Sequence, residues 1–158
     1  MPLNFSVTAM TMLIAMTLAL APFAATSIQA KPTGATSKKS SAAKEIVWES
    51  SWKEATAKAK ASGKPIMLDF YTDWCGWCKR LDRDVYTHPA IISQLGGRMI
   101  FLKVNPERSP SENNLALRYK AGSFPTVVVI DAQKNEKGRI EGYLPPERFL
   151  VSILDTLR

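Results

Sequence analysis

The chain has two cysteines, Cys75 and Cys78, set two residues apart in Trp74-Cys75-Gly76-Trp77-Cys78-Lys79 directly after an apolar run. A helix that opens at such a pair offers Cys75 unpaired N–H groups and a positive dipole end, and both favour a thiolate. Cys78, one turn further on, can then attack a mixed disulfide formed at Cys75. Two other chemistries use the same spacing. A zinc site needs about four ligands, and the chain adds only the distant His88, which reads as a surface residue near a helix start. A structural staple over so short a loop restrains the unfolded chain by only about 2 kcal/mol. Thiol–disulfide exchange needs nothing beyond the two thiols, so we expect no metal and no cofactor.

Asp69 is the next informative residue. An acid inside the apolar strand Ile66-Met67-Leu68-Asp69-Phe70-Tyr71 is costly unless it has a partner or a task. Alternation puts it on the face opposite Leu68 and Phe70, beneath the cysteines. Burial there raises its pKa and lets it take the proton that Cys78 must lose. Lys103 on a neighbouring strand is its natural ion-pair partner. Trp74 and Trp77 flank Cys75, expected as a surface thiol; they serve either as plain packing or as aromatic faces for a peptide or unfolded substrate. Asp73 stays solvated.

The elements that must position these residues follow from local signals. Ile46 to Trp48 is a short apolar stretch. Ser51-Trp52-Lys53-Glu54 reads as a capping box opening a helix that Gly63 stops. After the strand and the cysteine pair, a helix extends to about Tyr86. Thr87 ahead of Pro89 starts a short helix ending near Gly96-Gly97, and Met99 to Val104 is a strand. Ser109-Pro110-Ser111-Glu112 opens a helix to about Tyr119. Thr126 to Ile130 is a strand, Asp131 to Gly138 a turn, and Arg139 to Tyr143 an antiparallel return strand. Pro145-Pro146-Glu147 opens the last helix, with Phe149, Leu150, Ile153, Leu154 and Leu157 at helical spacing. Crossover helices imply parallel strands first and a hairpin last.

At 158 residues, 46% of them hydrophobic, the chain has room for one domain and lacks the apolar content of a multi-span membrane protein. Residues 7–25 are almost wholly apolar or small, so residues 1–30 read as a signal peptide, with an uncleaved N-terminal anchor as the alternative. Its opening stretch lacks Lys and Arg. Cleavage after Ser27 fits the small residues there, with Ala25 two before it; after Ala30, Ile28 fits the rule less well. Residues 31–44 hold four lysines and no acid, a basic flexible linker that supplies four of the seven net positive charges. Aromatic and basic residues do not interleave as single-strand binding requires, which argues against nucleic acid. We expect an exported, periplasmic domain over residues 45–158, where disulfides persist.

The run from Leu68 to Lys79 resembles the active-site strand and helix of the thioredoxin superfamily, and Phe124-Pro125-Thr126 resembles that family's cis-proline loop. Asp69 and Lys103 fall on its buried acid and lysine. The Gly-Lys-Pro before the strand and the Asp-Trp-Cys after it are similar to the C-terminal domain of the disulfide reductase DsbD and to small thioredoxin-like proteins. The resemblance implies an α/β fold, a central mixed sheet flanked by helices on both faces. It implies catalytic roles for Cys75, Cys78, Asp69 and Lys103, and substrate binding by Trp74, Trp77, Phe124 and Pro125. Pro125 would shape the groove, and the Phe124 backbone would pair with an extended peptide. The Gly-Trp between the cysteines matches neither cytosolic thioredoxins nor the strong periplasmic oxidant. The retained acid–lysine pair inclines the reading towards a reductase of disulfide-containing client proteins, re-reduced by a separate dithiol donor protein that can be membrane-bound. An oxidase or isomerase of the same fold, and a non-enzymatic chaperone-like peptide-binding module, are the alternatives.

Overall fold

The computed structural model describes residues 45–158. The expected signal or anchor (1–30) and linker (31–44) lie outside the described residues. In chain order the elements are β1 (Trp48–Glu49), α1 (Trp52–Ser62), β2 (Ile66–Phe70), α2 (Gly76–Asp84), α3 (Pro89–Leu95), β3 (Ile100–Val104), α4 (Pro110–Arg118), β4 (Thr126–Ile130), β5 (Glu136–Glu141) and α5 (Pro146–Thr156).

The five strands form one sheet in the order β1-β3-β2-β4-β5. β3 runs parallel to both β1 and β2, whereas β4 is antiparallel to β2 and β5 to β4. All five residues of β2 are buried, because helices cover both faces of this central strand. Period-2 alternation splits the core. Met67, Phe101, Val127 and Val129 pack with Leu81 of α2, Ile91 and Leu95 of α3, and Phe149 and Ile153 of α5. Leu68, Phe70, Leu102, Val104 and Val128 pack on the other face with Ala55 and Ala59 of α1 and Leu115 and Ala116 of α4. Asp69 therefore shares the face of Met67, the one that α2 covers.

The caps explain most element boundaries. Ser51 accepts a hydrogen bond from the Glu54 N–H, while the Glu54 carboxylate takes the Ser50 hydroxyl at 2.8 Å, so only half of the capping box forms. Gly63 ends α1 at φ 70°, a left-handed conformation that suits glycine.

Three expected boundaries are corrected. The helix after the cysteines ends at Asp84 rather than near Tyr86, because the Val85 and Tyr86 N–H groups both turn back to the Leu81 carbonyl. His88, not Thr87, caps α3: its Nδ1 accepts from the Ala90 N–H at 3.3 Å, while the Thr87 hydroxyl bonds back to the Arg83 carbonyl. The return strand β5 begins at Glu136, not Arg139. Asp131 Oδ1 accepts from the N–H groups of Gln133 and Asn135, closing the turn within 131–135. A register shift at Val129/Ile130 absorbs the mismatch.

Candidate active site

β2 delivers the chain to one end of the sheet, where the loop 71–74 rises to the cysteines. The Tyr71 N–H continues the ladder to the Val104 carbonyl at 3.0 Å, and the Cys75 N–H is held by the Thr72 carbonyl at 3.2 Å. Cys75 is the N-cap of α2, and its Sγ accepts from the Cys78 N–H at 3.1 Å. The two sulfurs are joined in a disulfide with a Cα–Cα separation of 5.3 Å. Contrary to the expectation of a surface thiol, Cys75 is only 4% exposed, because an N-cap side chain folds back over the first helical turn. The exposed groups are its neighbours, Trp74 at 68% and Trp77 at 56%.

Beneath the pair lies a charged cluster. Asp69 is fully buried and pairs across the β2–β3 register with Lys103, whose Nζ donates to Oδ2 at 2.9 Å. The same ammonium donates to Asp82 of α2, and it sits 4.8 Å from the ring centroids of both Trp48 and Tyr71. Burial pushes the Asp69 carboxyl above its usual range, and the Lys103 charge offsets only part of that push. Burial alone would lower Lys103, but Asp69 and Asp82 together hold it above its usual value, so it stays cationic. Asp82 is the half-exposed end of the cluster. The result is a carboxyl able to bind a proton, held one face below the cysteines.

A groove runs beside the pair. Phe70 pairs with Thr126, which brings Phe124 and Pro125 to the cysteine end of the sheet, and the bond between them is cis. Trp77, Phe124, Pro125, Gly142 and Tyr143 line a hollow of about 230 Å³. Gly142, at φ 80°, turns the chain after β5 and donates its N–H to the Pro125 carbonyl at 2.8 Å. Tyr143 lies against Trp77 with centroids 5.6 Å apart, and the Arg80 guanidinium covers both rings. On the other side the Trp74 ring meets Phe124 edge-on, and its indole N–H donates to Glu107 at 3.0 Å. Arg108 reaches Asp73 at 3.3 Å, so the loop after β3 braces the loop before Cys75.

All eight residues singled out from sequence thus lie at or just beneath one end of the sheet. The sequence reading missed Asp82, Tyr143, Arg80 and Glu107. Asp82 carried a local signal, four residues beyond Cys78 on the same helical face. Tyr143 and Glu107 carried none, because only the sheet brings them to the tryptophans. Among the described residues no cluster of three or more His, Cys, Asp or Glu could hold a metal, and no helix is long and apolar enough to cross a membrane.

A thioredoxin-like domain family matches residues 52–156. The thiol:disulfide interchange protein DsbD of Cronobacter sakazakii is 33% identical over 104 residues, covering 65% of this chain but 18% of that protein. The chain therefore spans under a fifth of such a relative's length. Among solved structures, the DsbH oxidoreductase superposes with a TM-score of 0.66 at 25% identity, covering 73% of this chain and 87% of that one. The oxidised C-terminal domain of Neisseria meningitidis DsbD, at 21% identity, shares the fold with a TM-score of 0.58 over 70% of this chain and 98% of that one. With the family match running from the first residue of α1 to the last of α5, the chain belongs to the thioredoxin-like domain family and is related to DsbD.

Proposed function

We propose that this chain is a thiol:disulfide oxidoreductase that reduces disulfides in exported client proteins. The observation that carries the reading is the Cys75–Cys78 pair at the start of α2, beside an apolar groove and above a buried acid. In the reduced enzyme, the Cys78 N–H that meets Cys75 Sγ in the disulfide is placed to stabilise a Cys75 thiolate. That thiolate attacks one client sulfur, the Cys75–client bond forms, and the client S–S bond breaks, releasing a client thiolate that takes a proton from water. Cys78 then gives its proton to Asp69 and attacks Cys75 Sγ. The Cys75–Cys78 disulfide forms and the Cys75–client bond breaks. The client sulfur that Cys75 had held leaves as a thiolate and takes a proton, and the client has gained two electrons.

Lys103 steadies the Asp69 carboxylate between turnovers, and Asp82 links the pair to solvent. Trp74, Trp77, Phe124 and Pro125 hold the client, with the Phe124 backbone pairing to an extended segment. A separate dithiol protein, itself oxidised in the step, returns the enzyme to the dithiol form. The apolar stretch 7–25 and the relation to DsbD support an exported, periplasmic setting. The reductive direction rests on the retained Asp69–Lys103 pair.

The test is a Cys78→Ala variant expressed in cells. It should accumulate mixed disulfides through Cys75, and recovery of none would contradict the reading. Cys75→Ser separates the enzyme from a peptide-binding module, since a module would keep its effect on clients and the enzyme would lose it.

A further inference from the structure

Two buried oxygens near the acid have no hydrogen-bond partner, Asp69 Oδ1 and the Tyr86 hydroxyl. Folded proteins leave few buried polar atoms unpaired, and each one costs about 1–3 kcal/mol. Lys103 occupies the other carboxylate oxygen, Oδ2. Tyr86 reaches the cluster by helical spacing, since Cys78, Asp82 and Tyr86 recur every four residues along α2 and the turn that ends it. Its ring is fixed between Trp48 at 5.0 Å and Phe149 at 5.8 Å, with the Lys103 ammonium 5.4 Å from its centroid. The residue is 5% exposed and its hydroxyl is buried. Burial first, and the Asp69 charge next, hold its pKa well above the usual value, so it remains a neutral O–H.

We propose that Tyr86 is a positioning residue for the acid: its hydroxyl donates to Oδ1 when Asp69 is ionised and accepts from the Oδ1 proton when Asp69 is protonated. Lysine cannot serve both states, because an ammonium only donates. A phenol does so by a rotation of its O–H. When Cys78 passes its proton to Asp69, the new O–H lies on Oδ1 and Tyr86 turns from donor to acceptor; no proton passes through the phenol. The ionisable groups acting on Asp69 in the oxidised protein are Lys103 from β3, Asp82 from α2, and Tyr86. β4 and α5 contribute only apolar side chains on that face, Val127 and Val129 from β4 and Phe149 and Ile153 from α5 among them. The inference rests on Asp69 being the base for Cys78, and the test separates the two.

Tyr86→Phe keeps the ring and its contacts with Trp48 and Phe149, so it removes the hydroxyl alone. In the oxidised full-length protein, where no turnover occurs, carboxyl ¹³C NMR follows the ionisation of Asp69. Without the donor to Oδ1, the midpoint should rise by about one pH unit. An unchanged or lowered midpoint overturns the proposal. The pH profile of the single-turnover resolving step is measured on the same variant. A parallel upward shift with an unchanged plateau supports both the contact and the base role. A moved midpoint with an unmoved profile supports the Tyr86 contact and removes Asp69 from its role as base.

Discussion

Replacing Lys103 by methionine isolates what the buried ion pair does. Methionine keeps the stem length and its contact with the Trp48 and Tyr71 rings, whose centroids lie 4.8 Å from Nζ. It removes the charge shared by Asp69 and Asp82. Asp82 is 44% exposed and regains water at little cost, so the loss falls on Asp69, whose side chain is 1% exposed. Breaking a buried pair costs about 3–5 kcal/mol when the orphaned charge has no escape. Here it has one, because the carboxyl can bind a proton. Protonating a group of ordinary carboxylate pKa at neutral pH costs about 3 pH units at about 1.4 kcal/mol each, which caps the penalty near 4 kcal/mol. Burial has already raised the Asp69 pKa in the parent, so part of that penalty is already present. The expected loss is then about 2–3 kcal/mol at neutral pH.

The sign with pH follows. In both proteins the folded pKa of Asp69 lies above the unfolded one, so its favourable contribution is complete below the ordinary carboxylate range. It is lost as pH rises through the folded pKa. The variant raises that folded pKa further, so its deficit is largest at neutral pH and shrinks towards about pH 4. Urea unfolding of the oxidised proteins across this range measures it. A deficit that stays constant with pH, or grows towards acid, would refute the assignment of the cost to Asp69.

Other outcomes test the groove and the scaffold. Tyr143→Ala removes one wall of the hollow and should lower kcat/KM for an apolar peptide disulfide about tenfold, while the rate with a small disulfide such as hydroxyethyl disulfide stays the same. Glu107→Gln weakens the charge-assisted hold on the Trp74 indole, and the fluorescence anisotropy decay of the variant should show faster local motion with no change in melting temperature. Ser51→Ala removes the N-cap of α1, and denaturant unfolding should show a loss of about 1 kcal/mol at unchanged m-value.

Much of this site was legible because its parts are local or periodic. Cys75 at a strand-to-helix junction, and Asp69 opposite Leu68 and Phe70 in β2, follow from spacing within a few residues. Lys103 occupies the register position beside Asp69, and each sits at the fourth residue of a five-residue parallel strand. The start of β5 was not legible, because one side chain, Asp131, bonds two backbone N–H groups and shortens the turn that composition had extended to Gly138. Tyr143 and Glu107 were invisible for a different reason. Their contacts with Trp77 and Trp74 arise from long-range sheet pairing that leaves no periodic mark. The burial of Cys75 also escaped the sequence, since the fold-back of an N-cap side chain depends on its bond to Cys78.

The direction of exchange is the central claim, and the Cys75–Cys78 reduction potential tests it most directly. The full-length protein would be equilibrated with glutathione buffers and its dithiol fraction read by thiol alkylation. A value near that of thioredoxin, about −270 mV, is the predicted result for a reductase. A value near that of the strong periplasmic oxidant, about −120 mV, would contradict it.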